Sequence, residues 1–429
     1  MNNNFYHPEL LQTPEGVRDI YGKECAMKNI IKDNISRVIR SYGFDNIETP
    51  SFEYFDIFNK ERGSALPNEM FKFFDRDNNT LVLRPDITPS VARCVAKYYE
   101  NETMPVRLCY CGNSYVNNYS HQGKLKETTQ LGAELINDET SDADAEMIVM
   151  TIESLLSCGL TEFQIDVGHV GIFNGLVKEA GLNPVQIKEL RDLLISKNVF
   201  AASQYLSELS ISENLMKLFV ELPQSFGSKE YLALARAFLP NEEATKALDR
   251  LDNIYSVIET YGYSQYVNID PGLLSSYTYY TGVIFRAYTF GTGEPVATGG
   301  RYDSLLSQFG HDGAAIGFVI CIDQLMLAIK RQNIDISKPD PRILVLYGSA
   351  DRMVALKLVT KLRSDGMRIC IIRKSSSKGI NDYKEYCMRN NIGLIIDVED
   401  SERTNIINIA DNTQAEVLIE EICGKEEEE

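Results

Sequence analysis

RLCYCGNSYVNNYSHQGKLKETTQLGAELI, residues 107–136, is the stretch on which the fold turns. Residues 106–116 and 125–136 are two strand-like runs joined by the polar loop NNYSHQGK. Side chains alternate across a strand, so Gln130 and Glu134, four apart, share a face. Cys109 and Cys111 likewise face one way, but no second Cys/His pair stands at ligand spacing, so no metal site is expected. The nine cysteines, without a CxxC pair, read as buried, reduced structural thiols.

Upstream of this stretch, NTLVLR (79–84) reads as a short strand, and ITPSVARCVAKYYE (87–100) as a helix beginning near Thr88 and Pro89. Earlier still, Met27, Ile30, Ile31, Ile35, Val38 and Ile39 recur at helical spacing between Glu24 and Ser41, giving one buried stripe. SYGFDNIETPSFE then turns at Gly43 and extends to Pro50, which suits a strand edge or end. Downstream, Ser141 with Asp144 has the spacing of a capping box for a helix to about Cys158. Residues 172–262 carry helical patterning with little strand character, for example VQIKELRDLLI, and read as a helical insertion. Strand patterning returns at Tyr279–Phe290 and around Phe318–Cys321.

The expected organisation is a core over 1–330, a linker over 331–342, a small α/β domain over 343–424 and an acidic tail over 425–429. In the α/β domain, ILVLY, RICII and GLIID alternate with helical runs, which suggests a parallel sheet. A hydrophobic content of 44% is ordinary for a globular chain, and no apolar run approaches the roughly 18 residues that span a bilayer. MNNNFYHPEL has neither the basic region nor the apolar core of a secretory signal, so a cytoplasmic protein is expected. The net charge of -18 argues against a nucleic-acid partner, which usually calls for a basic stripe.

Four ordered segments together resemble histidyl-tRNA synthetase and its paralogues. TPEGVRDIYG (13–22) is similar to the opening signature of that family, and YGFDNIETPSFE (42–53) to the first class II motif, which builds the family's dimer interface. The stretch 107–136 is similar to the second motif. YYTGVIFRAY (279–288), ATGGRYDSLLSQFG (297–310) and AAIGFVICIDQL (314–325) resemble the histidine-specific segment and the third motif. The resemblance covers roughly residues 12–330 and, more loosely, the C-terminal unit, which is similar to an anticodon-binding domain. It implies an α+β fold: a class II aminoacyl-tRNA synthetase-like core, a six-stranded antiparallel sheet with flanking helices, inside a homodimer.

Amino-acid activation by ATP develops negative charge on phosphate oxygens, and arginine stabilises it through a planar, permanently charged fork. The resemblance places Val116, Ser275 and Gln324 at the family's three catalytic arginine positions, with Thr278 at an aspartate position and Cys321 at a glycine position. One lost stabilising donor typically costs about 10²–10³ in rate, so losing three should abolish activation. Lys124 and Lys126 in the second-motif loop lack the fork geometry needed to substitute, and Arg301 in GGRYD reads as structural.

The family's histidine pocket, by contrast, maps onto residues that remain polar: Asp86 and Thr88 in LRPDIT, Gln130 and Glu134 in TQLGAE, and Tyr279 with Tyr280. The match gives Asp86 to the ligand ammonium and Glu134 to the imidazole, whose ring N–H wants an acceptor. Each has a plainer reading: Asp86 as a helix cap, Gln130 and Glu134 as a solvated strand face, the tyrosine pair as core. Gly282, Gly299 and Gly300 read as turn or close-packing glycines, and His121 and His169 as non-catalytic.

A synthetase-like chain without the arginines resembles the regulatory-subunit family of ATP phosphoribosyltransferase. That resemblance implies a short catalytic partner chain, histidine as feedback ligand in the first step of histidine biosynthesis, no cofactor, and a homodimer within a hetero-oligomer. A divergent histidyl-tRNA synthetase and a free-standing histidine-binding paralogue are the alternatives.

Overall fold

The computed structural model describes residues 11–59, 65–118, 124–221, 236, 241–275, 279–336 and 342–423. His121, Thr278 and the tail over 425–429 lie outside the described residues, as does part of the expected linker (337–341). The chain divides into two compact units, one of Met1–Ile20 with Lys28–Ile336, the other of Tyr21–Met27 with Ser337–Glu429.

Helix α1 (Gly22–Ser41) buries Ile31, Ile35 and Ile39, the stripe its spacing calls for. Then come β1 (Asp45–Asn46), β2 (Phe52–Tyr54), β3 (Lys72–Phe74), β4 (Thr80–Leu83), α2 (Thr88–Tyr98), β5 (Val106–Tyr115), β6 (Glu127–Ile136), α3 (Ser141–Ser157) and β7 (Phe163–His169). Helices α4 (Val170–Glu179), α5 (Pro184–Ile195), α6 (Val199–Glu208), α7 (Glu213–Glu221) and α8 (Glu242–Thr260) occupy the stretch read as an insertion. β8 (Val267–Ile269), β9 (Val283–Thr289), β10 (Ala297–Arg301), α9 (Asp303–Ser307), β11 (Ala315–Cys321) and α10 (Ile322–Arg331) complete the first unit.

The main sheet has eight strands in the order β1-β5-β6-β11-β10-β9-β7-β8. Its six inner strands are antiparallel, as the resemblance implies, while β1 and β8 add parallel edges. β2, β4 and β3 form a separate small sheet. In β6 the alternation sends Leu131, Ala133 and Leu135 to one face and Gln130, Gly132 and Glu134 to the other, and both faces are largely buried.

Helix α3 begins differently from the capping-box reading. Thr140, not Ser141, is the cap, its Oγ1 accepting the Ala143 N–H at 3.2 Å. Asp144 is instead fully buried and ion-paired with Arg301 and Arg250, each at 2.6 Å. An acidic residue in a first turn suits a cap, but two guanidiniums converging on it here hold it in the interior.

The second unit contains β12 (Arg342–Tyr347), α11 (Arg352–Ser364), β13 (Ile369–Arg373), α12 (Ile380–Asn390), β14 (Ile392–Val398), β15 (Arg403–Asn408), β16 (Gln414–Leu418) and α13 (Ile419–Cys423). Its sheet, β13-β12-β14-β15-β16, is mixed rather than parallel. β12 pairs in parallel with β13 and β14, while β15 and β16 extend the sheet antiparallel. RTNIIN and QAEVL lack the apolar runs of the three parallel strands, so their strand character is weak in sequence. Helix α11 packs on Val345, Ile369 and Ile396, and α12 on Leu344, Leu346 and Ile395, so the two cover opposite faces.

Candidate functional site

The inner sheet carries an open cavity on the Gln130–Glu134 face, with about 360 Å³ of empty space counting the part open to solvent. Part of its floor is open because Gly317 and Gly300, paired across two strands, carry no side chains, while Thr298 and Val319 line it beside them. Gly132, Gly317 and Gly300 stand side by side or diagonally across β6, β11 and β10. A Cβ at Gly132 would lie 2.7 Å from the Tyr110 hydroxyl, and one at Gly300 would lie 2.8 Å from the Tyr280 ring. One at Gly317 would overlap the Glu134 carboxylate. Gly299 faces the other way, filled by the Phe285 ring, and Gly282 lies against the Arg301 side chain, so both are close-packing glycines.

All six residues of the expected pocket line this one cavity: Asp86, Thr88, Gln130, Glu134, Tyr279 and Tyr280. Asp86 and Thr88 open α2, Gln130 and Glu134 come from β6, and the tyrosines from the segment before β9. Asp86 accepts the Tyr279 hydroxyl at 3.2 Å and the Thr88 N–H at 3.2 Å. Asp86 is not the helix cap, since Ile87 holds that position without a side-chain cap, and its bond to the Thr88 N–H is a local turn just ahead of the helix. The Tyr279 and Tyr280 rings lie 4.9 Å apart, and Tyr279 meets Tyr302 edge-on. Gln130 Oε1 is buried without a hydrogen-bond partner among the described residues. An orphaned buried acceptor of that kind costs about 1–3 kcal/mol until an N–H meets it.

Glu134 is 1% exposed and is the hub of the site. Its Oε1 accepts the Thr88 hydroxyl at 2.7 Å and the Tyr110 hydroxyl at 3.1 Å, and its Oε2 accepts the Tyr302 hydroxyl at 2.6 Å. Burial pushes the carboxyl up to about 7, opposed by the Tyr302 and Thr88 hydroxyls and helped by the neighbouring Asp86 charge. Tyr110 and Tyr302 escaped the sequence reading. Tyr302 directly follows Arg301 in GGRYD, and Tyr110 pairs with Gly132 across the hairpin; register, rather than motif, brings both to Glu134.

None of Val116, Ser275 and Gln324 lines the cavity. Val116 packs against Phe58, Met70 and Val82, and Ser275 is buried. Gln324, in the first turn of α10, donates to Glu294 at 3.4 Å, while its Oε1 is buried without a partner among the described residues. Lys124 is ion-paired with the same Glu294 at 2.6 Å. Arg301 is 4% exposed and bound to Asp144, the structural role its sequence suggests. His169 caps α4, accepting the Gly171 N–H at 3.0 Å, and burial pushes its imidazole down to about 4, with Arg250 and Arg301 adding repulsion. Of the cysteines, Cys109 is buried beside Asn46, but Cys111 is exposed, so the thiols are not uniformly interior. Strand alternation gives the two a common direction, and what covers that face differs along the strand. Among the described residues no group of three or more His, Cys, Asp or Glu could hold a metal ion, and no helix is long and apolar enough to cross a membrane.

The histidyl-tRNA synthetase family model matches residues 16–325. An ATP phosphoribosyltransferase regulatory subunit of Acetivibrio thermocellus is 36% identical over 96% of this chain and 98% of its own length. One from Ruminiclostridium cellulolyticum is 35% identical over 97% of this chain and 99% of its own. A crystal structure from Bacillus halodurans, described as an ATP phosphoribosyltransferase regulatory subunit/histidyl-tRNA synthetase, superposes with a TM-score of 0.80 at 33% identity, covering 88% of this chain and 96% of that one. A histidyl-tRNA synthetase from Nostoc sp. PCC 7120 shares the fold, with a TM-score of 0.80 at 18% identity. With its fold and these relatives in agreement, the chain belongs to the histidyl-tRNA synthetase-like proteins and, among them, to the ATP phosphoribosyltransferase regulatory-subunit family.

Proposed function

We propose that this chain is a non-catalytic regulatory subunit of ATP phosphoribosyltransferase. It binds free histidine in the Glu134 cavity, activates a short catalytic chain and delivers histidine feedback on the first step of histidine biosynthesis. The observation that carries this reading is the convergence of Asp86, Thr88, Gln130, Glu134, Tyr279 and Tyr280 on one cavity, where the buried Gln130 Oε1 has no donor among the described residues. Asp86 and Gln130 suit an ammonium, and Glu134 suits a ring N–H.

The positions matched to catalytic arginines support the non-catalytic half. Val116 is absorbed into an apolar cluster, Ser275 is buried, Gln324 is tied to Glu294, and the nearby Lys124 is neutralised by that same carboxylate. No triphosphate-stabilising cation stands at these three positions.

The working form is a homodimer within a hetero-oligomer in the cytoplasm, with the acidic charge of -18 arguing against tRNA as a partner. Phe52 and Tyr54 project from one face of β2, 53% and 57% exposed, and a second copy would cover them.

Calorimetric titration with histidine, together with co-elution and assay of a mixture with the short catalytic chain, tests the reading. One larger species, raised activity and inhibition by histidine are expected. Independent elution with unchanged activity would leave a free-standing histidine-binding protein as the better account.

A further inference from the structure

We propose that Tyr110 and Tyr302 are specificity-determining residues of the cavity: by the hydroxyls they hold on Glu134, they make it a site that takes an imidazole ligand together with a single shared proton. This rests on the reading of the cavity as a histidine site and adds how that site chooses the ring's protonation state.

A carboxylate offers about four acceptor positions. Thr88, Tyr110 and Tyr302 use three of them, at 2.7, 3.1 and 2.6 Å, leaving one facing the cavity. All three donors are neutral hydroxyls. The titratable groups around Glu134 are Asp86 at the start of α2, Tyr110 on β5, Tyr279 and Tyr280 before β9, and Tyr302 after β10, while β11 presents Gly317 there. Neither lysine nor arginine is among them. Burial pushes both Tyr110 and Tyr302 well above the ordinary phenol range, so each remains an O–H donor throughout the neutral range.

A ligand that seals the cavity thus confines a carboxylate with no lysine or arginine beside it among the described residues, and a buried charge needs a compensating one. The ligand's ring can supply it by carrying a second ring proton. Burial and the hydroxyl donors balance to leave Glu134 titrating at about 7, close to the roughly 6.5 of a free imidazole. With the two sites nearly matched, the complex holds a single proton between carboxyl and ring. Above both values the free partners hold none, so binding takes one proton from the solvent. Below both they hold two, so binding releases one.

Titration calorimetry of the full chain with L-histidine, in buffers of different ionisation heat at pH 6, 7 and 8, counts these protons. The wild type should take up close to one proton at pH 8, pass through zero between about 6.5 and 7, and release protons below that. Tyr302→Phe removes one donor from the ionised carboxylate, raising the carboxyl by about one to two pH units, and so should move the zero crossing, midway between carboxyl and ring, up by about 0.5–1 pH unit. Glu134→Gln should bind without proton uptake at pH 8. If Tyr302 were only a packing residue, its variant would bind more weakly at every pH with the crossing unmoved, which would overturn the proposal. Binding by the wild type without uptake at pH 8 would overturn it too, leaving the histidine site intact. No binding heat at any pH in any buffer would sink the histidine reading itself and this proposal with it.

Discussion

Gly317 lies directly opposite Glu134 in the β6–β11 ladder, and a single methyl group at Gly317 would overlap the Glu134 carboxylate. The missing side chain on one strand makes room for the charged one on its neighbour. Gly317→Ala should therefore weaken histidine binding at least tenfold and destabilise the fold by about 1–3 kcal/mol, as overpacking does. Adding Glu134→Asp, a shorter carboxylate, should restore part of the stability. Thermal melts of the two variants with calorimetric titration check both statements, and a Gly317→Ala protein with unaltered binding would mean the cavity floor yields more than its geometry suggests.

Glu134→Gln keeps the size of the side chain and removes its charge. Loss of a charge-assisted hydrogen bond should cost on the order of 1.5–3 kcal/mol, or about 10–150-fold in histidine affinity. Dimerisation and activation of the catalytic chain should persist. Equal affinities in wild type and variant would place the feedback ligand elsewhere.

The Asp144 carboxylate is fully buried between Arg301 and Arg250. Asp144→Asn leaves two guanidiniums around a neutral amide and should cost about 3–5 kcal/mol in denaturant unfolding. Arg250→Met, at the more exposed arm of the triad, should cost clearly less.

Two buried groups give the ligand-free protein opposite pH dependences. Glu134 is raised to about 7, so its contribution is fully present below the ordinary carboxylate value of about 4.5 and is lost as pH rises through 7. His169 is lowered to about 4, so its contribution is present above about 6.5 and lost as pH falls towards 4. Each spans about 3 kcal/mol. Relative to wild type, Glu134→Gln should gain stability as pH rises from 4.5 to 7, and His169→Asn, which keeps an acceptor for the Gly171 N–H, should gain it as pH falls from 6.5 to 4. Unfolding free energies across pH 4–8 would show these slopes, and parallel curves would refute both assignments.

No histidine-dependent ATP–pyrophosphate exchange is expected, given Val116, Ser275 and Gln324 at the positions that the family resemblance matches to catalytic arginines. Exchange at even about one-thousandth of an ordinary synthetase rate would favour a divergent ligase, since each missing cation is worth roughly 10²–10³.

The sequence by itself was enough for the helical stripe of α1, the hairpin of residues 106–136, the helical run of α4–α8 and, through ordered motifs, six residues that come together on one cavity. These are local patterns, set by side-chain periodicity within one segment. Tertiary structure decided what depends on pairing between distant segments. Tyr110 and Tyr302 reach Glu134 only through strand register, and Gly317 becomes indispensable only because β11 lies beside β6. Asp144 reads locally as a first-turn acid, yet Arg301, 157 positions away, draws it into the core. The antiparallel β15 and the edge strand β16 were equally hidden, because strands without a clear apolar pattern take their conformation from the neighbours they pair with.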